Sequence, residues 1–160
     1  MTPIREILGD VAGKLCKALL PIRHEYYLGT GKTVGVCTMS SMNLLKQIST
    51  SYIMDTIAIA GRLLSENKGI DAIINFALEH PELRWIIVCG EEVKGHRAGQ
   101  ALIALATNGV DTTGKIIGAH GPYPILKSSA YAIEAFRRQV QILDMIGVVN
   151  IDVISLALIT

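Results

Sequence analysis

WIIVCGEEVKGHRAGQALIALA, residues 85–106, contains a strand, a loop and the start of a helix in one continuous pattern. The apolar run over residues 85–89 predicts a buried strand, and the apolar helix formers over residues 101–106 predict a helix that opens near His96. The polar loop between them therefore lies where a strand gives way to a helix. In open α/β sheets, ligands bind at such carboxyl ends of strands.

The same alternation of strands and helices continues on both sides of this stretch. We expect strands over residues 34–39, 55–60, 115–118 and 140–146, and helices over residues 43–51, 70–78 and 133–140. Pro81 closes the second of these helices. Strands that alternate with helices predict βαβ crossovers and a mainly parallel sheet. The expected fold class is thus α/β, Rossmann-like, with helices on both faces and an extra N-terminal helix.

The chain divides into an N-terminal helix, residues 1–25, and one Rossmann-like domain, residues 26–160. A chain of 160 residues fits one ordinary domain. Within residues 3–20, apolar side chains recur at spacings of three and four, which predicts an amphipathic helix that ends at Pro21. These side chains are Ile4, Ile7, Leu8, Val11, Leu15, Ala18 and Leu19. Docking of this helix on the domain and contact with a partner both remain open.

Composition excludes several classes of protein. Half of the residues are apolar and 18% are charged, which excludes a disordered chain. The net charge of +1, without a basic run, argues against nucleic acid as the partner. No apolar run approaches the ~20 residues that a membrane-spanning helix needs. Glu6 and Asp10 make the N-terminus unlike a signal peptide, and the three cysteines lack metal-ligand spacing, so we expect a cytoplasmic location with buried thiols.

His96 is the candidate for chemistry in the first loop. If it lies in the first turn of its helix, the positive end of the macrodipole keeps the imidazole neutral, as a metal ligand requires. A histidine that simply caps the helix is the alternative. Gly95 and Gly99 remove side-chain bulk on both sides, so a broad, flat group could come close. Glu91 and Glu92 are the nearby carboxylates that could orient the ring.

A second loop of small residues, GAHGPYP over residues 118–124, also follows a predicted strand and should emerge at the same sheet edge. Its His120 could be a base or a turn residue. No dinucleotide fingerprint follows the first strand, and the GTGKT of residues 29–33 lacks the upstream glycine of a phosphate-binding loop. Neither a nucleophile elbow nor a zinc-spaced histidine pair is present. No side chain is therefore assigned a catalytic role.

These motifs resemble a known family. The segment WIIVCGEEVKGHRAGQ, residues 85–100, is similar to the signature of the A subunit of tetrahydromethanopterin S-methyltransferase. The resemblance continues in NGVD at residues 108–111, in IIGA at residues 116–119 and in FRRQVQILDMI at residues 136–146. Together with AIAG at residues 58–61, it covers roughly residues 26–148.

The resemblance implies a corrinoid protein of methanogenesis and one-carbon metabolism, either one component of a methyltransferase or a carrier that acts with partner methyltransferases. It would accept a methyl group on Co(I) of a cobalamin from a methylated pterin-type donor and pass it to a thiol such as coenzyme M. His96 matches the family's motif histidine, the lower axial ligand to cobalt. Residues facing the corrin or its nucleotide tail would be Thr38, Ser40, Glu66, Gly95, Gly99, Gln100, Gly118, Ala119 and Gly121. Association with a membrane complex is possible without a membrane span in this chain.

One departure separates this sequence from the other large cobalamin-binding family. There an aspartate two residues before the ligating histidine bonds the imidazole, whereas Lys94 holds that position here. His96 is therefore expected to bind cobalt without a carboxylate at that place. A cofactor-free scaffold or interaction module built on the same domain is the alternative function. A nucleotide-binding enzyme is less well supported, because no phosphate-binding loop is present.

Overall fold

The computed structural model describes residues 26–159, so the predicted N-terminal helix lies outside the described residues. Strands and helices alternate over most of this range. The strands are β1 (Tyr26–Leu28), β2 (Val34–Cys37), β3 (Ile59–Gly61), β4 (Trp85–Gly90) and β5 (Gln141–Ile146). The helices are α1 (Met42–Ser49), α2 (Lys68–Glu79), α3 (Ala98–Asn108), α4 (Ala130–Gln139) and α5 (Ile151–Ala157), with a 3₁₀ turn at Tyr52–Asp55.

The described strands form one sheet in the order β1-β3-β2-β4-β5. β2 pairs in parallel with both β3 and β4, and β4 pairs in parallel with β5. Only the short β1, among these strands, is antiparallel to its neighbour, β3. The predicted α/β, Rossmann-like fold with a mainly parallel sheet is confirmed.

Helices pack on both faces of the sheet, and the interior strand β4 is accordingly apolar on both faces. Ile86 and Val88 pack against α2, α3 and α4, whose buried residues include Ile70, Leu102 and Phe136. Ile87 and Cys89 point to the opposite face and pack against α1 and α5. The predicted burial of the thiols is confirmed for Cys37 and Cys89, and burial raises the pKa of both to about 12. Cys16 lies outside the described residues.

One predicted strand is wrong. Residues 115–118 do not join the sheet; Lys115 and Ile116 instead form isolated antiparallel bridges with Ile125 and Val110. Gly114, just before the segment, and Gly118, its last residue, have positive φ and end the extended conformation in both directions. The segment is therefore part of a folded loop beside the sheet.

One predicted boundary differs from the structure, and two short elements were not predicted. The strand expected over residues 55–60 is confined to β3, because the preceding Tyr52–Asp55 forms a 3₁₀ turn that Ser51 caps by accepting the N–H of Ile53. The strand β1 and the helix α5 were not predicted. α5 begins where the side chain of Asn150 accepts the N–H of Asp152. Within residues 26–159, no helix is both long enough and apolar enough to cross a membrane.

Gly90 ends β4 in a conformation that other residues avoid, and this gives a test of the fold. Its φ is +80°, and a Cβ at this position would lie 2.4 Å from the carbonyl oxygen of Thr38. We expect Gly90→Ala to lower the free energy of unfolding by about 2 kcal/mol or more in urea titration. Gly35→Ala is the control, because a Cβ there meets only side chains, at 3.4 Å or more. Equal losses in the two variants would contradict this explanation.

Candidate functional site

The candidate site lies at the carboxyl edge of the sheet, between β2 and β4. The chain leaves β2 towards β3 and leaves β4 towards β5, on opposite sides, so the connections diverge at this point. Such a topological switch point is where open α/β sheets bind ligands. Ser40 and Ser41 tie the two loops together: Ser40 Oγ donates to Glu91 O (2.7 Å), and Glu91 N donates to Ser41 Oγ (2.8 Å).

His96 lies before helix α3, not in its first turn. Arg97 adopts a left-handed conformation, with φ 50° and ψ 48°, so the helix begins only at Ala98. The predicted placement of His96 in the first turn of the helix is therefore wrong. A tight turn over residues 94–96 carries the histidine, whose side chain is 51% exposed.

A buried glutamate orients the imidazole of His96. Nδ1 lies 2.8 Å from Oε2 of Glu66, a residue that is only 1% exposed. The other oxygen, Oε1, accepts the backbone N–H of Tyr123 at 2.9 Å. Because an ionised carboxylate only accepts, the hydrogen on Nδ1 of His96 is directed at Glu66. The neutral ring then has its lone pair on Nε2, to which no described residue is hydrogen-bonded.

Hydrogen bonding keeps the Glu66 carboxylate ionised. Burial acts to raise its pKa, but the backbone N–H groups of Glu66 and Tyr123 and the His96 ring outweigh burial and lower the pKa from its ordinary value of 4.5. Glu66 thus carries a negative charge at neutral pH inside the protein. Such a charge favours a proton on the facing nitrogen of His96.

Glu91 and Glu92, the carboxylates expected to orient His96, lie elsewhere. Glu92 caps helix α3, since Oε1 accepts the N–H of Gly99 (3.0 Å) and Oε2 accepts that of Gln100 (2.8 Å). Glu91 is exposed. The carboxylate at the imidazole comes instead from Glu66, 30 positions earlier in the chain.

The loop of residues 118–124 packs against the turn that carries His96. The side chain of Gln100 bridges the two segments: Nε2 donates to Gly118 O (2.8 Å), and Oε1 accepts the N–H of His120 (2.9 Å). A Cβ on Gly121 would lie 2.3 Å from the carbonyl oxygen of His96, so only glycine fits at this contact. Of the predicted site residues, the structure therefore brings Glu66, Gln100, Gly118 and Gly121 to His96 or to its turn.

The other predicted site residues have different surroundings. Thr38 is fully buried, and Gly99 is buried with its Cα facing Met39, so close that a Cβ would overlap the sulfur. Ala119 packs against the core. Gly95 is exposed, and a Cβ there would meet nothing within 4 Å. The open space expected beside His96 is thus present at Gly95, whereas Gly99 serves the packing of α3.

Sequence reasoning did not find two further contacts at the site. Arg97 Nη1 lies 3.2 Å from Nδ1 of His120, so the arginine donates to that ring. Asn67 caps α2 through its Oδ1 and donates from Nδ2 to the carbonyl oxygen of Tyr123. The adjacent Glu66 and Asn67 therefore both hold the loop at Tyr123. Within residues 26–159, no three His, Cys, Asp or Glu side chains are grouped to hold a metal ion.

Comparison with known proteins matches this chain to one family. The family model for the A subunit of tetrahydromethanopterin S-methyltransferase matches residues 15–159. The A 2 subunit of that enzyme from Methanothermobacter marburgensis is 48% identical over 127 residues, which are 78% of this chain and 66% of the relative. The A subunit from Methanocaldococcus jannaschii is 39% identical over 137 residues, 84% of this chain and 55% of the relative.

A differently named relative also matches. The A subunit of the putative methyltransferase Mtx from Methanosarcina barkeri is 32% identical over 141 residues, 87% of this chain and 68% of the relative. The chain spans about half to two thirds of the length of these curated relatives.

The lowered pKa of Glu66 gives a pH dependence of stability. A carboxyl group whose pKa is lowered by folding stabilises the protein above its unfolded pKa, and this stabilisation is lost as the pH falls through the lower, folded pKa. We expect Glu66→Gln to be less stable than the unsubstituted protein at pH 7, with a difference that narrows below the ordinary pKa of 4.5. Urea unfolding at several pH values measures this difference. A difference in the free energy of unfolding that does not change with pH would contradict this expectation. Glu91→Gln, which changes an exposed carboxylate, is the control.

Proposed function

The chain belongs to the family formed by the A subunit of tetrahydromethanopterin S-methyltransferase, and from that premise we propose that it is a corrinoid carrier in methyl transfer. In this proposal, Nε2 of His96 would bind the cobalt of a cobalamin. The observation that supports it is the half-exposed imidazole whose Nδ1 is bonded to the buried carboxylate of Glu66. Histidine ligands to metals almost always have such a partner on the second ring nitrogen.

The described residues fit a large, flat group held through one imidazole. His96 lies in a turn at the switch point of the sheet, and its side chain is half-exposed to solvent. Gly95 leaves open space beside it. Gly118 is exposed on the adjoining loop. A corrin ring approaching from solvent would therefore meet glycines and the imidazole, without large side chains from these positions.

Glu66 controls which ring nitrogen of His96 carries the proton. Because the carboxylate is ionised and accepts from Nδ1, it holds the tautomer in which Nε2 has a free lone pair. It also fixes the rotation of the ring and makes Nε2 a stronger electron donor. Lys94 holds the position of the aspartate found in the other cobalamin-binding family, and Glu66 supplies the missing carboxylate from a different part of the chain.

The loop of residues 118–124 and the turn that carries His96 also keep the Glu66–His96 pair in place. Gln100 and Gly121 hold the loop of residues 118–124 against the His96 turn, and Tyr123 N is bonded to Glu66.

When bound, the corrinoid would supply the cobalt that accepts and donates the methyl group. The chain itself binds, orients and tunes the cofactor, and this division of labour needs no catalytic side chain.

The donor and acceptor of the methyl group belong to the proposal as well. The names of the relatives point to a methylated tetrahydromethanopterin as donor and to methyl transfer onto sulfur, for which a thiol such as coenzyme M is the acceptor. Partner methyltransferase subunits would bring these substrates to the carrier. The relatives are themselves named as subunits, which supports a role within a larger assembly.

The cobalt ligand is tested by removing the imidazole. His96→Ala should fold normally, because the side chain is half-exposed, but it should change the visible spectrum of bound cobalamin and weaken its binding. Absorption spectra and equilibrium titration with cobalamin measure both effects. His120→Ala, a change of the neighbouring exposed histidine, is the matched control and should retain the spectrum of the unsubstituted protein. If His96→Ala alters neither spectrum nor affinity, the ligand role is wrong. An unsubstituted protein that stays colourless and does not bind cobalamin favours the scaffold alternative.

The role of Glu66 is tested separately. Glu66→Gln keeps the size of the side chain but removes the charge that holds the proton on Nδ1. We expect about 10–100-fold weaker cobalamin binding and a shifted spectrum of the bound cofactor, the usual size for loss of a partner to a metal ligand. Glu91→Gln, on the same loop as His96 but exposed, should bind normally. Unchanged affinity in Glu66→Gln would show that the carboxylate does not act through His96.

A further inference from the structure

One face of the sheet lacks a covering helix at the β1/β3 edge, among the described residues. Side chains alternate along β1: Tyr27 packs with the core that includes α1 and α5, whereas Tyr26 and Leu28 point to the other face. Tyr26 is 57% exposed and Leu28 is 65% exposed. A strand that is apolar on both faces is typical of a sheet that is covered on both faces.

The uncovered face forms the floor of a groove. This groove has a volume of about 740 Å³ and runs along α2, from the loop after β3 to the end of the helix. Its lining is mostly apolar: Tyr26, Leu28, Ile59, Ile73, Phe76 and Leu83. Lys68 and Glu79 lie at opposite ends of α2, both exposed. The shape and lining suit the apolar side of a helix laid alongside α2.

We propose that this groove binds residues 3–20 of the same chain. The sequence of this segment predicts an amphipathic helix, with Ile4, Leu8, Val11 and Leu15 on one side. A helix of this length would be about 27 Å long, more than the ~18 Å of the twelve-residue α2. The segment can therefore cover the whole groove.

The length and position of the link between residues 3–20 and β1 also agree with this placement of the segment. Tyr26 pairs with Gly61, so β1 begins at the carboxyl edge of the sheet, where α2 also begins. Residues 21–25, five residues opened by Pro21, separate the segment from β1. A connection of this length lets the chain reverse, so that the segment runs antiparallel to α2. So short a tether gives the segment an effective concentration in the millimolar range at its own groove, which favours it over a second copy of the chain.

The groove side of the contact is tested in the full chain by Leu28→Asp. Leu28 is exposed in the described part of the structure, so its substitution should leave the domain folded. Amide hydrogen exchange of residues 4–19 should become about tenfold faster, the effect expected when one leucine side chain loses its burial. Leu156→Asp, at an equally exposed leucine on α5, is the matched control and should leave this exchange unchanged. Unchanged exchange in Leu28→Asp would overturn the proposal.

The segment side is tested by Val11→Asp, with Lys17→Asp on the opposite side of the predicted helix as the control. Val11→Asp should speed amide exchange in the groove, over residues 26–28 and 73–79, whereas Lys17→Asp should not. Light scattering and dilution experiments distinguish binding within one chain from binding of a second copy of the chain or of a partner protein in the groove. Protection of residues 4–19 that is lost on dilution, together with dissociation of a dimer, would place the segment of a second copy in the groove and would overturn binding within one chain. Protection that appears only when a partner protein is added would also overturn it.

Discussion

The hydrogen bond between Glu66 and His96 is the interaction on which the arrangement of the site depends. An ionised carboxylate that is 1% exposed would be costly to bury without compensation, by several kcal/mol. Its compensation comes from three segments: its own backbone, the loop at Tyr123 and the turn at His96. The carboxylate therefore organises all three segments, and none of them can move away without leaving a buried charge short of donors.

The fold supplies the conditions for this hydrogen bond. Parallel pairing brings the ends of β2, β3 and β4 to one edge, so that residues distant in sequence meet there. Close approach of the loops then needs glycine at a few positions. At Gly121 a side chain would collide with the carbonyl oxygen of His96, and at Gly90 with that of Thr38. The small-residue loops are thus required for packing at this edge, in addition to any space they leave for a ligand.

The periodicity of apolar residues in the sequence was sufficient to predict the strands and helices that bury one side. It predicted the strands β2, β4 and β5 and the helices α1 to α4 within a few residues. It failed for β1, because three residues, Tyr26–Leu28, are too short to show alternation. It also failed at residues 115–118, where only Lys115 and Ile116 form bridges and these pair locally, between glycines of positive φ.

The site was predictable only where its residues stand in a local sequence pattern. His96 stands in a local pattern of strand, glycines and helix, and such a pattern can be found in one sequence. Glu66 was named as a residue near the cofactor through family resemblance, but its bond to His96 joins positions 30 residues apart and leaves no local signal. The left-handed Arg97, which moves His96 out of the helix, likewise has no signature in a residue type that rarely adopts this conformation.

Because Glu66 lies 30 positions before His96 in the sequence, the imidazole is held by more than one segment of the chain. An aspartate two residues before a histidine moves with that histidine, because both belong to one loop. Glu66 instead belongs to the segment between β3 and α2, and its second oxygen is bonded to the backbone of Tyr123. The orientation of the His96 ring is therefore set jointly by the turn that carries it, by the start of α2 and by the loop of residues 118–124. A displacement of that exposed loop necessarily acts on the same carboxylate that holds the proton on Nδ1.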